Sequence, residues 1–420
     1  MSNLWITDNK KMTHVAVWIL FFSIFGSASG IALGTLLLAV FGIWQFRDRI
    51  QRLPQVPLFW PITLLIAALC LSVLLAPGQG FGKSVGKLRY LALYFPLVWY
   101  FAAWPQTRRQ FATAGVWVAV FLGTAAVLQF CGWFCPLHDL GFTRIRLAEL
   151  QGTHGQFFHA RGMSYHHNPF AYTTLLLYHL LLGRALTVTT HRERRFFFLG
   201  AGFCILGIVL SSSRGSWVAL TLSSAVVFGL FARKHWRVFA TLGATLGVLF
   251  AALWKVLASR ATSLAPSSNP ERLRLWEICW DLFKQRPLTG HGYHYGFELQ
   301  RSQFMTDVEK ANPTFPTDPH SIYFDLLATT GVLGLFSFVA FLVAAFVSYV
   351  RGFGMAQVSK DDRGVLIAGV GALISFTVGS AFDSHFFHTQ TLMATVLWLA
   401  LGQSVVFQYS AATQSTRKSL

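Results

Sequence analysis

The chain has 420 residues, of which 54% are hydrophobic, 15% aromatic and only 12% charged, yet 34 Lys and Arg against 16 Asp and Glu leave a formal net charge of +18. Apolar runs of about 20 residues, the length that crosses a bilayer core, recur throughout, which excludes a soluble globular domain and predicts a polytopic membrane protein. The runs are continuous and do not alternate in period two, and in hydrocarbon each segment must satisfy its own backbone polar groups, so a barrel is excluded and the fold class is all-α.

In chain order, the apolar runs predict spans near 13–25, 28–46, 57–76, 88–104, 111–132, 167–187, 196–212, 215–232, 238–257, 331–349, 363–381 and 389–407, about twelve in all. The first follows Lys10-Lys11 and reads as a signal anchor. Gly26-Ser27-Ala28-Ser29-Gly30 after it is either a turn between two short spans or a flexible kink in one tilted span. Residues 1–257 thus carry nine spans with short loops. Residues 258–330 form a polar insertion, and 331–420 the last three spans and a tail. No internal repeat or midplane charge marks the chain as a transporter or flippase, the alternative from a different class.

Lys and Arg cluster at 10–11, 47–52, 108–109, 192–195, 233–237, 351–363 and 417–418. A cytoplasmic N-terminus puts every one of these clusters on the cytoplasmic side, as the positive-inside rule requires, and the C-terminus with them. The loops 77–87, 133–166, 211–216, 258–330 and 382–388 then face outward. Arg144, Arg146, Arg161, Arg214, Arg260, Arg272, Arg274 and Arg286 lie there against the orientation bias and are candidates for binding anions.

The outward segments carry the candidate chemistry. Pro77 to Ser84 superficially matches a phosphate loop, but Pro77 replaces its first glycine and no strand precedes it. Lys83, Lys87 and Arg89 remain as a basic lip, either interfacial or in contact with substrate. The loop 133–166 offers His138, Arg144, Arg146, His154, His159, Arg161, His166 and His167. Cys70, Cys131, Cys135, Cys204 and Cys279 have no metal-ligand spacing, and a Cys131–Cys135 bridge within one helical turn would be strained. Ser211-Ser212-Ser213-Arg214-Gly215-Ser216-Trp217 interrupts an apolar stretch that as one helix would reach roughly 50 Å, so a turn is predicted there. Arg214 at that rim either meets an anion or caps and snorkels.

Within the polar insertion, Asn269-Pro270 begins a predicted helix over 271–283, ended by Gln285-Arg286-Pro287-Leu288-Thr289-Gly290-His291-Gly292. Its arginines touch either lipid phosphates or a diphosphate, which suits the planar guanidinium fork. Asp318-Pro319-His320 closes the insertion. An interfacial histidine is more often a satisfied polar residue, but near arginines His320 is equipped to accept or position a hydroxyl proton. Asp383-Ser384-His385-Phe386-Phe387-His388 would hold a metal only with further ligands, and no paired-carboxylate motif is seen in the outward loops.

Ser213-Arg214-Gly215, Arg272 with Trp276, Pro287-Leu288 with Gly290 and Gly292, and His320-Ser321 with Leu326, Gly331 and Gly334 occur in an order that resembles the O-antigen ligase and polymerase superfamily of bacterial inner-membrane glycosyltransferases. The resemblance covers roughly 196–350. It implies a GT-C-like helical enzyme of the bacterial inner membrane, with its active site in a large periplasmic loop. Its partners would be an undecaprenyl-diphosphate-linked glycan, a lipid A core acceptor and membrane lipids, with no nucleic acid. The implied reaction inverts the anomeric centre and uses no metal or other cofactor. By this resemblance Arg214 and Arg272 hold the diphosphate and His320 activates or orients the acceptor, making these three the catalytic set. Arg274, Lys83, Lys87, Arg89, Arg144, Arg146, Arg161, Trp276 and His291 are the candidate substrate contacts. The single large outward loop and the modest length favour a ligase over a polymerase or a protein O-oligosaccharyltransferase.

Overall fold

The computed structural model describes residues 2–76, 81–130, 160–164, 166–231, 265–312, 315–316, 318–384 and 388–418. All regular structure in these residues is helical. The principal helices are α1 (Ser2–Ser23), α2 (Ala28–Leu37), α3 (Phe59–Leu74), α4 (Tyr94–Ala103), α5 (Gln106–Phe130), α6 (His167–Thr187), α7 (His191–Leu210), α8 (Arg214–Phe231), α9 (Ala265–Gln285), α10 (Ile322–Phe353), α11 (Lys360–Gly379) and α12 (Thr389–Lys418). Six helical segments in the described residues are long and apolar enough to cross a membrane: Ala28–Gln55, Gln106–Phe130, Arg214–Phe231, Ile322–Phe353, Lys360–Gly379 and Thr389–Ala411. The predicted span 238–257 lies outside the described residues.

Local chemistry explains several helix limits. A turn at 24–27, not a kink, separates α1 from α2, and the Ser27 hydroxyl caps α2 by accepting from the Gly30 amide at 2.9 Å. Thr190 and Ser359 cap α7 and α11 in the same way. Beyond α2 the helix widens into a π turn, Leu38–Gly42, continues over Ile43–Phe46 and tightens into the 3-10 stretch Arg47–Gln55. The predicted span 88–104 is broken at Leu93 into Arg89–Ala92 and α4.

Helix α6 is buried without a break from Pro169 to Ala185 and is the centre of the bundle, packed against α7 and α11. Helix α7 also packs on α5, α8 on α11, and α12 on α4. The outer helices instead expose large apolar side chains, including Trp117 and Phe121 on α5, Leu222 and Leu230 on α8, and Phe336, Val343 and Val350 on α10. In water such a surface would drive association; it suits helices solvated by lipid.

Ion pairs tie one end of the bundle together. Arg108, 2% exposed, meets Asp362 at 2.6 Å, Arg109 meets Glu193 at 2.7 Å, and Arg184 meets Asp361 at 3.0 Å. Arg108, Asp362 and Arg184 stand at the ends of α5, α11 and α6 remote from Gln129, Ser380 and His166 respectively, so the latter three mark the opposite end. The candidate site forms there.

The insertion folds onto that end. Leu275, Ile278, Cys279 and Leu282 form the buried stripe of α9 and pack with Phe297, Phe315 and Ala328. The Tyr293 amide donates to Ser72 Oγ at 3.1 Å and Arg286 Nη1 to the Leu75 carbonyl at 3.2 Å, docking the segment on α3. Two predicted boundaries are corrected. Helix α9 begins at Ala265, not 271. Helix α10 begins at Ile322, not 331, because the Ile322 amide donates to the Ser380 carbonyl at 2.8 Å and the helix starts from that anchor. Gly331 breaks α10 instead of opening it. Its φ of 63° and ψ of −162° turn the amides of Val332 and Leu333 onto the carbonyls of Pro287 and Leu288. A Cβ at Gly331 would stand 2.5 Å from the Leu288 backbone.

Candidate active site

The site is assembled from the link before α10, the link before α12, and the starts of α6 and α8. Asp318-Pro319-His320 forms a tight turn in which the Asp318 carboxylate accepts the His320 amide at 2.7 Å. His320 is held at φ 53°, a left-handed conformation uncommon for any residue other than glycine. Trp276 of α9 donates from Nε1 to the Pro319 carbonyl at 3.0 Å and stacks on Phe324 with ring centroids 4.8 Å apart. The turn is therefore fastened from both sides, and the imidazole it presents is 30% exposed.

Asp383 stands behind that imidazole, with Oδ1 3.7 Å from His320 Nδ1 and its side chain only 4% exposed. Its neighbour Ser384 donates from Oγ to Asp318 at 2.5 Å, so the two links that carry the carboxylates are joined directly. Burial alone would lower the His320 pKa, but contact with Asp383 and the charges of Asp318 and Asp383 outweigh it and raise the pKa above the ordinary value. The separation is longer than a hydrogen bond, as in many catalytic pairs before substrate binds.

Arg214 opens α8, where backbone amides already favour an anion. Gly215 lets that helix end approach the link before α12: a Cβ there would fall 2.6 Å from Tyr172 Oη and 2.7 Å from Phe382 Cβ. Arg272 reaches the same place from α9. Burial, and next the like charge of Arg214, push its guanidinium below the ordinary pKa, opposed by Asp383, Tyr172 and Asp318. Two arginines held within electrostatic range of each other are mutually destabilising, and an anion between them removes that cost.

Further titratable groups close the cluster. His166, the N-cap of α6, is held down to about 4 by burial, with Asp383, Arg161, His388 and His320 all within electrostatic range. Gln129 fixes the Arg161 segment by accepting the amides of Arg161 and Gly162 at 2.9 Å each and donating to the Gly162 carbonyl at 2.7 Å. Lys87 is lowered to about 8 by burial despite the charge of Asp318. His294 is lowered to about 4 by burial and next by Lys87.

Of the sequence-predicted residues, the structure brings together His320, Arg214, Arg272, Lys87 and Arg161. Arg89 is exposed beside Tyr90, its Nη2 donating to Tyr90 Oη at 3.1 Å. Trp276 supports the His320 turn. Arg274 is committed to structural partners, Glu309 at 2.9 Å, Glu277 at 3.2 Å and the Phe304 carbonyl at 2.7 Å. His291 is buried, with Nε2 2.9 Å from the Leu282 carbonyl. Arg144, Arg146 and the Lys83 side chain lie outside the described residues. Asp318 and Asp383 are the functional candidates that sequence reasoning left without a role at His320. The outward loops carry no paired-carboxylate motif in sequence, but the fold brings one carboxylate from each of two distant links into a single pair. With His388 they form a trio whose possible ligand atoms lie within 4.8 Å of one another. Its available signal was the scarcity of acidic residues, 16 in the chain, which makes each outward one notable.

Residues 199–339 match the family model described as O-antigen ligase. The match bears out the resemblance over the part of the chain that carries it, and it contains Arg214, Arg272 and His320. Lys87, Arg161, His166 and Asp383 lie outside the matched stretch. No curated protein matches the chain.

Proposed function

We propose, with the match of residues 199–339 to O-antigen ligase as the premise, that the chain transfers a glycan from a polyprenyl diphosphate to a hydroxyl of the lipid A core. The observation that carries this reading is the meeting of two arginines, Arg214 and Arg272, with the His320–Asp383 pair in one cluster. The arginines hold the diphosphate and stabilise the negative charge it gains as a leaving group. His320, oriented by Asp383, accepts the proton of the acceptor hydroxyl through Nε2. The hydroxyl oxygen attacks the anomeric carbon as its bond to the phosphate oxygen breaks. The electron pair departs with the polyprenyl diphosphate, and the configuration at the sugar carbon inverts.

In this reading the chain lies in the bacterial inner membrane with the cluster on the periplasmic side, and the arginines do the work of charge neutralisation without a metal. The test uses purified protein, undecaprenyl-diphosphate-linked O-antigen and lipid A core, with chelator present, read by the gel shift of the capped core. Transfer by the wild type and none by an inserted, folded His320→Ala variant is the expected result. Lengthened lipid-linked glycan without capped core would replace the ligase by a polymerase. Near-normal transfer by His320→Ala would remove His320 from the chemistry, and product lost on chelation would overturn the metal-free assignment.

A further inference from the structure

A cavity of about 660 Å³ lies between the wall formed by α2 and its π turn and the wall formed by residues 89–99. Its volume is in the range of small-molecule sites, about 300–1,000 Å³. The lining is apolar apart from Thr35 and Arg89: Ala32, Leu36, Ala39 and Ile43 face Ala92, Phe95, Pro96 and Trp99, with Ile50 and Leu53 at the far end. Leu36, Ile43 and Ile50 are each more than half exposed, so the groove opens to the surroundings of the bundle and is not part of its core.

Two features shape the groove. The π turn Leu38–Gly42 widens one wall opposite Pro96 of the other, and a Cβ at Gly42 would sit 3.6 Å from Pro96. From Ala32 to Ile43 the wall runs about 16 Å, half of a bilayer core of about 30 Å. One end lies at the candidate site. Arg89 is two residues from Lys87, whose ammonium is in electrostatic range of Asp318, and Gly26 just before α2 packs against Met163 of the Arg161 segment.

We propose that this groove seats the isoprenoid chain of the polyprenyl diphosphate donor, its first units under Arg89 and its diphosphate beyond Lys87 at Arg214 and Arg272. The assignment rests on the transfer reading above and adds the route by which the donor's lipid leaves the site. Charge and continuity favour this occupant: a cationic mouth leads an anionic head into the cluster while the apolar part stays on the membrane face. Small residues on both walls leave room for one methyl-branched chain, whereas a lipid A acceptor brings several acyl chains side by side.

The test uses the full chain in phosphatidylethanolamine and phosphatidylglycerol nanodiscs with undecaprenyl diphosphate carrying a diazirine on its third isoprene unit. After irradiation, labelled positions are mapped by mass spectrometry. Label concentrated in 28–53 and 89–99, undisplaced by excess phosphatidylglycerol, is the expected result. Ala39→Trp or Ala92→Trp, both outside the central core, should reduce it about tenfold, the equivalent of losing roughly two buried methylene groups. Label spread over the lipid faces of α5, α8 and α10, or displaced equally by phosphatidylglycerol, overturns the groove. The readout requires no glycan transfer, so label in the groove of a protein that transfers nothing would sink the enzymatic reading alone. Transfer with label elsewhere would sink the groove alone.

Discussion

Replacing Asp383 by Asn tests the catalytic reading most directly. Asparagine keeps the shape and an oxygen able to accept the Ser384 amide, which Asp383 Oδ1 now receives at 2.9 Å. What it removes is one negative charge, 3.7 Å from His320 Nδ1. An ion pair at that range contributes on the order of 4 kcal/mol at an effective dielectric of 20, equivalent to roughly a thousandfold in rate if the imidazolium forms in the transition state. Arg272 opposes Asp383 and the imidazole is partly exposed, so a loss in kcat between about 10² and 10³ is expected, within the usual span for general base catalysis. The pH profile has a defined sign. His320 must be neutral to accept a proton, so wild-type activity falls as pH drops through its raised pKa. Without Asp383 that pKa falls, and the acid limb of kcat/KM moves to lower pH. Capped-core formation measured from pH 5 to 9 checks both effects. Wild-type turnover with an unmoved acid limb would refute the pair as a catalytic unit, since a merely structural role cannot relocate that limb.

Arg272→Lys keeps the charge but not the fork, and should lower kcat/KM at least about tenfold at unchanged thermal stability; unimpaired transfer would sink bidentate phosphate holding. Arg274→Ala should do the reverse, lowering stability by about 1–2 kcal/mol through loss of its bonds to Glu309 and Phe304, with KM for the donor unchanged; a raised KM would return Arg274 to the substrate. Gly331→Ala forces a side chain into φ 63° and against Leu288, and should cost on the order of 2 kcal/mol or more, read as a lower unfolding temperature in detergent; wild-type stability would show the kink to be dispensable. His166 and His294 are each held near 4 by burial, so the unfolded chain binds their protons first and stability should fall as pH drops from about 6.5 towards 4. His320 opposes this trend, its stabilisation being present below about 6.5 and lost as pH rises through its raised pKa. Thermal unfolding across that range checks the net sign: stability that did not fall towards pH 4 would count against the buried, neutral histidines.

The helical class, the apolar segments and the turn at Ser211 to Ser213 followed from composition and periodicity alone, because hydrocarbon leaves the backbone no other means of satisfying itself. Arg214 and His320 could be singled out as polar groups beside apolar helices in a sequence so poor in charge, and Arg272 with them through the resemblance to the O-antigen ligase superfamily. Their partners could not. Asp383 is distant from His320 in the chain, and only the close approach of Gly215 to Phe382 and the bond from Ser384 to Asp318 bring it behind the imidazole. Nor does helix periodicity alone decide which of Arg272 and Arg274, two residues apart on one helix, faces the site. A step of two turns a side chain by about 200° around the axis, so one arginine meets the cluster and the other Glu309. Helix periodicity says that the two face apart, and tertiary packing decides which faces the site.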